Sequence, residues 1–415
     1  MLTSHVFRRV KVVIRSLGPG VISGASDNDP TTVATLTVVG ASTTYGLAWL
    51  VLLVIPMLAV VQTVAARVGT VSKRGLENVV LERYGRPLAF FALFAVLAVN
   101  LLTLAADLEG GGAALQVMTG IDYRWFVVPL ALLAAGALVF ARYDAIARVL
   151  KYLTLVFFAY VIAAFLAHPN WLDVLRGSVI PHFELRGAYV SGAIALLGTT
   201  LTSYAYVWET VEVSQQRVPL RRLGLVQADA TIGIVLAGLT FWFIVVATGA
   251  TLGVHHKTVQ TAQDAAAALT PIAGRYAGLL FGIGLLGSAL IAIPVLAGTS
   301  AYVMAGAFRW RGSLDAEFSR AGGFYTTLIA SSLLGAIIAL LGASPIQLLF
   351  LSGIAGGIAT PFTLALLMLA ARDRHVMSEQ HRIGPTLACA GWGVTAVVLA
   401  AAVFYLYGTL TGRSG

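Results

Sequence analysis

The sequence predicts an all-α integral membrane protein that crosses the bilayer eleven times, and three observations carry that prediction. The 415 residues are 58% hydrophobic and only 11% charged, outside the range of a soluble domain. Mean hydropathy is +0.87, and apolar stretches long enough to span hydrocarbon, about 20 residues each, recur along the chain. The basic residues between them alternate between crowded and nearly empty segments. A soluble enzyme with one anchor is excluded. The lone Cys389 forms neither an intrachain disulfide nor a thiolate metal cluster.

Behind a basic segment at 1–16, the first span is read at 17–43. That beginning has the outline of a signal peptide, but Ser26-Asp27-Asn28-Asp29-Pro30 interrupts the apolar run and no small-residue cleavage pattern precedes it. The second span, 47–66, has Trp49 as an interfacial anchor. In the loop 67–87 that follows, Ser72-Lys73-Arg74-Gly75-Leu76-Glu77-Asn78 is suited to a short surface helix. The third span, 88–118, holds Asp107, Glu109 and Gly110-Gly111-Gly112. The glycines lack a following Lys-Ser/Thr and are read as close helix packing, not as a phosphate loop.

The fourth span, 125–141, opens on Trp125, and the fifth is 152–167. The connection 168–187, rich in Pro, Trp and mixed charge, is expected to be structured. The sixth span, 188–214, carries a polar stretch at its middle and then Glu209 and Glu212; the seventh, 225–253, carries Asp229. The remaining spans are 272–307, 324–341, 345–370 and 386–410, with Gly353, Gly356 and Gly357 of the tenth read as packing contacts and Gln347 as packing or pore lining. No segment between spans exceeds about 25 residues, too few for a soluble catalytic or output domain.

The net charge of +9 raises the question of nucleic acid or lipid binding, and the distribution of charge answers it. Of the 27 Lys and Arg residues, 21 fall in alternate segments, leaving only Arg124, Arg176, Arg186, Lys257, Arg275 and Arg413 for the other side. By the positive-inside rule the N-terminus is cytoplasmic and the C-terminus outside, in the plasma (inner) membrane of the cell. An odd number of spans is required to keep that asymmetry. The excess charge is a topological label, and no nucleic-acid partner is expected.

All basic residues sit in loops or at span ends, whereas Asp27, Asp29, Asp107, Glu109, Glu209, Glu212 and Asp229 fall within spans. An acid near mid-bilayer costs about 2.5–3.5 kcal/mol, so several together impose on the order of 10 kcal/mol. With no intramembrane Lys or Arg, the compensating charge is a transported cation, a proton, or water in a cavity. Glu212 and Asp229 lie near span ends, where plain hydration is an equal explanation.

Two spans carry breaks suited to an ion site. In Asp27-Asn28-Asp29-Pro30-Thr31-Thr32 the proline disfavours helix at Asp29 and frees backbone carbonyls around it. In Gly198-Thr199-Thr200-Leu201-Thr202-Ser203-Tyr204 a polar, β-branched stretch interrupts an apolar run, which is tolerated at depth only inside protein or along a cavity. Each break opens a five-helix half, 17–167 and 188–370, with 386–410 as an extra helix. Broken helices in matching places of two inverted repeats point to a midplane binding site between them.

These residues resemble the NRAMP family of divalent-metal transporters. The carriers of the likeness are Gly18-Pro19-Gly20 followed by Asp29-Pro30, Ala66-Arg67-Val68-Gly69 through Gly75-Leu76 to Glu82-Arg83-Tyr84-Gly85, Ala106-Asp107-Leu108, Pro294-Val295-Leu296-Ala297-Gly298, and Arg372-Asp373-Arg374-His375-Val376-Met377. The resemblance implies a LeuT-like inverted repeat of five plus five helices with one extra. It also implies alternating access and a metal held by the Asp and Asn of the first helix with a Met and a carbonyl of the sixth.

Here Asp29 matches the Asp, but Thr32 stands at the Asn position, Thr202 at the Met position, and Ser203 and Tyr204 where the family has Pro and His. The expected ligands are Asp29, Asp27, Asn28, Thr32, Thr199 and Thr202, with Thr31, Thr200 and Ser203 nearby. Asp107, Glu109, Glu209, Tyr204 and Glu212 are expected as proton-handling or supporting groups. An all-oxygen set without a soft thioether suits Mg²⁺ or Mn²⁺ over Fe²⁺, and in this the chain is closer to the NRAMP-related magnesium transporters. With Tyr204 in the place of the proton-route His, and Gly110 where the family has its second third-helix acid, uniport is the expectation, although Asp29, Asp107, Glu109 and Glu209 still form a possible relay. A divalent ion crossing about 100 mV gains roughly 4.6 kcal/mol without coupling.

The sequence thus predicts a monomeric, non-enzymatic secondary transporter with no cofactor, importing Mg²⁺ or Mn²⁺. The alternative is a carrier of the same fold for an amino acid or organic cation, with Tyr204 stacking on its cargo. An intramembrane hydrolase is disfavoured because neither a His-Glu-x-x-His motif nor an aspartyl-protease signature occurs.

Overall fold

In hydrocarbon every backbone N–H and C=O must find a partner within the chain, so long apolar runs become helices. In the computed structural model, which describes residues 28–140, 158–215, 219–314, 316–341 and 344–411, the regular elements are all helical. α1 is Pro30–Thr43, α2 Ala48–Ser72, α3 Leu76–Tyr84, α4 Arg86–Thr119, α5 Arg124–Phe140 and α6 Phe158–Leu166. α7 is Trp171–Val179, α8 Gly187–Thr200, α9 Ser203–Gln215 and α10 Leu223–Thr248, which runs into a π-helical turn at Gly249–Gly253. The short α11, Ala262–Ala266, and α12, Thr270–Ala273, precede α13, Ala277–Phe308; α14 is Gly322–Leu340, α15 Pro345–Arg372 and α16 Pro385–Leu410.

Eight described helical stretches are long and apolar enough to cross a membrane. They coincide with the second, third and sixth to eleventh expected spans. Of the other three, the described parts are α1, α5 and α6; residues 17–27 of the first span, with Asp27, lie outside the described residues. The helical α3 and α7 occupy the two loops expected to be structured.

Some ends move for local reasons. α2 continues to Ser72, six residues past its expected end, where Thr70 and Ser72 hydroxyls donate to the carbonyls four residues back and Lys73, at φ 55°, stops the helix. The eighth span begins five residues later than expected because Pro271 and Gly274, at φ 50°, break the run into short turns.

Burial sorts the helices into centre and rim. The apolar window of α8 and α9 is 83% buried, against 33% for α16. α1 buries Pro30 through Thr37 along with Val39, Gly40 and Ala41, leaving no lipid-facing stripe. It is enclosed by α4, α8, α10, α13 and α15. α4 packs most extensively on α13, α2 on α10, and α8 on α15. The last contact is backbone on backbone: a Cβ at Gly198 would meet the Gly353 carbonyl oxygen at 1.9 Å and the Gly357 nitrogen at 2.1 Å. The glycines of the tenth span are packing contacts, as expected.

At the end of the bundle rich in arginine, here the basic face, Arg83 Nε donates to Asp373 at 2.5 Å and Arg67 donates to the Arg382 carbonyl. At the opposite face α1 and α10 close tightly. A Cβ at Gly40 would stand 1.9 Å from Thr248 Oγ1, and one at Gly253 would stand 2.6 Å from the Gly40 carbonyl oxygen.

Candidate cation site

Asp29 and Pro30 start α1 where the sequence breaks. Pro30 takes the first helical position, where no N–H is needed, and Asp29 is the N-cap, its Oδ1 accepting the Thr32 N–H at 2.6 Å. Its other oxygen, Oδ2, accepts the Tyr204 hydroxyl at 2.8 Å. Tyr204 comes from the first turn of α9, just past the gap at Leu201 and Thr202 that separates α8 from α9. The two broken helices therefore meet through a carboxylate and a phenol.

The next residues of α1 extend the contact in two directions. Thr32 Oγ1 lies 2.9 Å from Thr199 Oγ1 and also reaches the Thr199 carbonyl. Thr31 turns the other way, donating from N–H and hydroxyl to Asp107 Oδ1 at 3.2 and 2.8 Å. Its hydroxyl is also 3.3 Å from Ser352 on α15. Asp29, Thr31, Thr32, Asp107, Thr199, Thr200, Thr202, Ser203 and Tyr204 are all at most 3% exposed. Asp107 Oδ2 is buried without a hydrogen bond among the described residues, and neither Asp29 nor Asp107 makes an ion pair there.

Both poles of a broken helix meet at the gap, the C-terminus of α8 and the N-terminus of α9. The last carbonyls of α8 have no helical donors ahead of them, so its C-terminus is a negative pole facing the gap. The opposing positive pole, the N-terminus of α1, is covered by the Asp29 carboxylate. Among the described residues no cluster of three or more His, Cys, Asp or Glu exists. What the site offers is two carboxylates with hydroxyls and carbonyls around them.

The other expected residues sort as follows. Asn28, 5% exposed, has its carbonyl oxygen held by the Ser288 hydroxyl of α13. Glu109 is fully buried but, two residues past Asp107 and thus about 200° around α4, lies beside Tyr123 and Arg124 instead of joining the two acids. Glu209 is fully buried on α9, five residues beyond Tyr204. Glu212, half-buried, accepts the Trp208 indole N–H at 2.9 Å. Sequence reasoning missed Ser352, Ser288 and Thr360; the last donates to the Leu201 carbonyl at the break, at 3.2 Å.

Comparison with known proteins decides the family. Residues 20–408 match Nramp, described as natural resistance-associated macrophage protein-like. The chain belongs to the Nramp family. A curated relative, the divalent metal cation transporter MntH of Deinococcus radiodurans, is 28% identical over 98% of this chain and 92% of its own.

Among solved structures, a manganese transporter of Eremococcus coleocola superposes with a TM-score of 0.76 at 18% identity, covering 97% of this chain and 87% of that one. MhsT, solved with L-phenylalanine, superposes with a TM-score of 0.62 at 13% identity, covering 94% and 97%. The Nramp chain is therefore a multi-pass membrane protein of LeuT-like fold. That fold also carries a protein crystallised with an amino acid, so cargo must be argued from the residues at the break. In this Nramp chain those residues are Asp29, Thr32, Thr199, Thr202 and Tyr204, and all their polar side-chain atoms are oxygen.

Proposed function

We propose that this protein imports a divalent cation, Mg²⁺ or Mn²⁺, by alternating access, and that Asp29 is the principal ligand. The observation that carries the reading is the pair of buried carboxylates, Asp29 and Asp107, joined through Thr31 and Thr32 to the break in the sixth span and lacking any described cationic partner. Family membership and the MntH relatives support a divalent metal as the cargo class. The oxygen-only donor set supports a hard ion that keeps part of its water, and in that respect the chain stands with the magnesium-transporting relatives of the family.

In this reading Asp27, Asn28, Thr32, Thr199 and Thr202 complete the ligand sphere from both broken helices. Tyr204 orients Asp29, and Asp107 adds charge through Thr31. The halves 17–167 and 188–370 are the two inverted repeats that rock about the site. The basic face is cytoplasmic, with the N-terminus inside and the C-terminus outside, so the sealed contact of Gly40 with Thr248 closes the outer path.

Proteoliposome uptake of Mn²⁺ and Mg²⁺ tests the assignment. Asp29→Ala is expected to abolish uptake of both. Full uptake by Asp29→Ala would remove Asp29 from the site, and block by organic amines, with no competition from Mg²⁺ or Mn²⁺, would replace the metal with an organic cargo.

A further inference from the structure

Serine and threonine inside an apolar helix ordinarily return their hydroxyl to a carbonyl one turn back in the same helix. Thr200 donates in this way to Leu196, Thr299 to Val295, Ser300 to Leu296 and Thr363 to Thr360. Thr360 of α15 departs from the pattern. Its hydroxyl leaves its own helix and donates to the Leu201 carbonyl at 3.2 Å, and the residue is buried.

The acceptor stands at the gap of the sixth span. Leu201 closes α8 with its N–H on the Leu197 carbonyl, and in an unbroken helix its own carbonyl would take the Ala205 N–H. α9 starts afresh at Ser203, so the carbonyl needs a donor from elsewhere, and Leu201 is fully buried, out of reach of bulk water. Glycines bring Thr360 within range. A Cβ at Gly356 would meet the Gly198 carbonyl oxygen at 2.9 Å, and one at Gly357 would meet the Ile194 carbonyl oxygen at 2.6 Å. With α15 so close to the α8 backbone, Thr360, one turn beyond Gly356, reaches Leu201, three residues beyond Gly198. Ser352, Gly356, Thr360 and Thr363 share one face of α15, and the hydroxyls of Ser352 and Thr363 meet those of Thr31 on α1 and Tyr206 on α9.

We propose that Thr360 is a positioning residue for the cation site, holding the Leu201 carbonyl so that the ligands assigned to Thr199 and Thr202, on either side of it, keep their places. The proposal rests on the cation-transport reading. Thr360 acts through the backbone of the break and is not itself a ligand. Without its hydroxyl a buried carbonyl is left unpaired, and the peptide joining Leu201 to Thr202 is free to turn in search of another donor. Thr202 rides on that peptide, so the ion is held less well. The effect falls on affinity and not on turnover, because the packing of α8 on α15 rests on the glycines and is left intact.

Initial rates of Mn²⁺ uptake by the full-length protein in proteoliposomes, taken over a range of Mn²⁺ concentrations at matched protein content, test the assignment. Thr360→Val nearly keeps the shape of the side chain and removes the donor; its KM is expected to rise about fivefold, the size of one lost hydrogen bond, with kcat within about twofold of the parent. Thr360→Ser restores the hydroxyl and is expected to return KM to the parental value, whereas Thr360→Ala, which adds no bulk beside the carbonyl, should behave as Thr360→Val does. Thr299→Val, whose hydroxyl donates within its own helix, is the control and is expected to leave KM unchanged. A parental KM in Thr360→Val and Thr360→Ala, a Thr360→Ser as impaired as Thr360→Val, or a fall in kcat alone overturns the proposal. So does a Thr360→Val and a Thr360→Ala that fail to fold where Thr360→Ser folds, since the bond then serves the fold. Uptake lost in Asp29→Ala with a parental KM in Thr360→Val sinks the positioning role alone, whereas a raised KM in Thr360→Val with full uptake by Asp29→Ala sinks the Asp29 assignment alone.

Discussion

Replacing Gly198 by alanine tests whether the break in the sixth span is held in place by backbone contact with α15. The added carbon would sit 1.9 Å from the Gly353 carbonyl oxygen, and ordinary carbon–oxygen contact is about 3.3 Å. The helices must therefore part by about 1.4 Å, because both obstructing atoms are backbone and no rotamer change relieves them. Thr199, whose hydroxyl lies 2.9 Å from that of Thr32, adjoins Gly198 and is carried along by any such shift. Overpacking of this kind costs about 1–3 kcal/mol or more, against a gain of about 1 kcal/mol for alanine over glycine in a helix.

A net loss of about 2 kcal/mol is expected for Gly198→Ala, read as a lower midpoint of thermal unfolding in detergent, with proteoliposome uptake reduced at least tenfold. Gly393→Ala, on the rim helix α16 with nothing within 4 Å of the new carbon, is the control, expected to gain up to about 1 kcal/mol and transport normally. Parental stability and uptake in Gly198→Ala would refute the packing argument.

Two further outcomes follow from the site. Tyr204→Phe removes the hydroxyl that donates to Asp29 Oδ2; a hydrogen bond to a charged group is worth about 1.5–3 kcal/mol, so uptake at subsaturating Mn²⁺ should fall at least tenfold, and an unchanged rate would deny Tyr204 its orienting role. Asp107→Asn keeps the acceptor for both Thr31 donors but removes a buried charge; ion affinity should drop while the ion-free protein unfolds at no lower temperature, and undiminished affinity would contradict the part given to Asp107.

Glu77, outside the spans, has its carboxyl pushed up from 4.5 to about 7 by burial, partly offset by its own backbone N–H and by Asn78. Because the folded value is the higher one, its stabilising effect is complete below pH 4.5 and lost as pH rises through 7. At 1.36 kcal/mol per pH unit, and discounting for the partial exposure of the residue, Glu77→Gln should match the parent at pH 4.5 and exceed it above pH 7 by on the order of 2 kcal/mol. A difference between the two proteins that does not vary with pH would contradict the burial argument.

Much of this architecture is legible in sequence because hydrocarbon leaves the backbone few choices. Apolar runs mark the spans, and Asp29-Pro30 and the Thr-rich stretch at 199–202 mark the breaks, since proline and clustered hydroxyls are hard to reconcile with an uninterrupted apolar helix. Partners across the bundle are not legible. Ser352 looks like any serine bonding back within its helix, as it does to the Leu349 carbonyl, and nothing local announces that Thr31, 321 positions away in the chain, lies beside it. Glu109, expected among the proton-handling or supporting groups, is two residues along α4 from Asp107, a spacing that puts the two acids on different faces of the helix. Glu77 escaped notice because an acid in a polar loop is ordinary, and its seclusion depends on Gly306, on a helix more than two hundred residues later.

The central claim is that a hard divalent ion is carried by an oxygen-only site built on Asp29. Competition against Mn²⁺ uptake in proteoliposomes by Mg²⁺ and by Cd²⁺ tests it most directly. Mg²⁺ is expected to compete and Cd²⁺ to compete markedly less well than unlabelled Mn²⁺. Cd²⁺ inhibition equal to or stronger than that of Mn²⁺ would contradict the account.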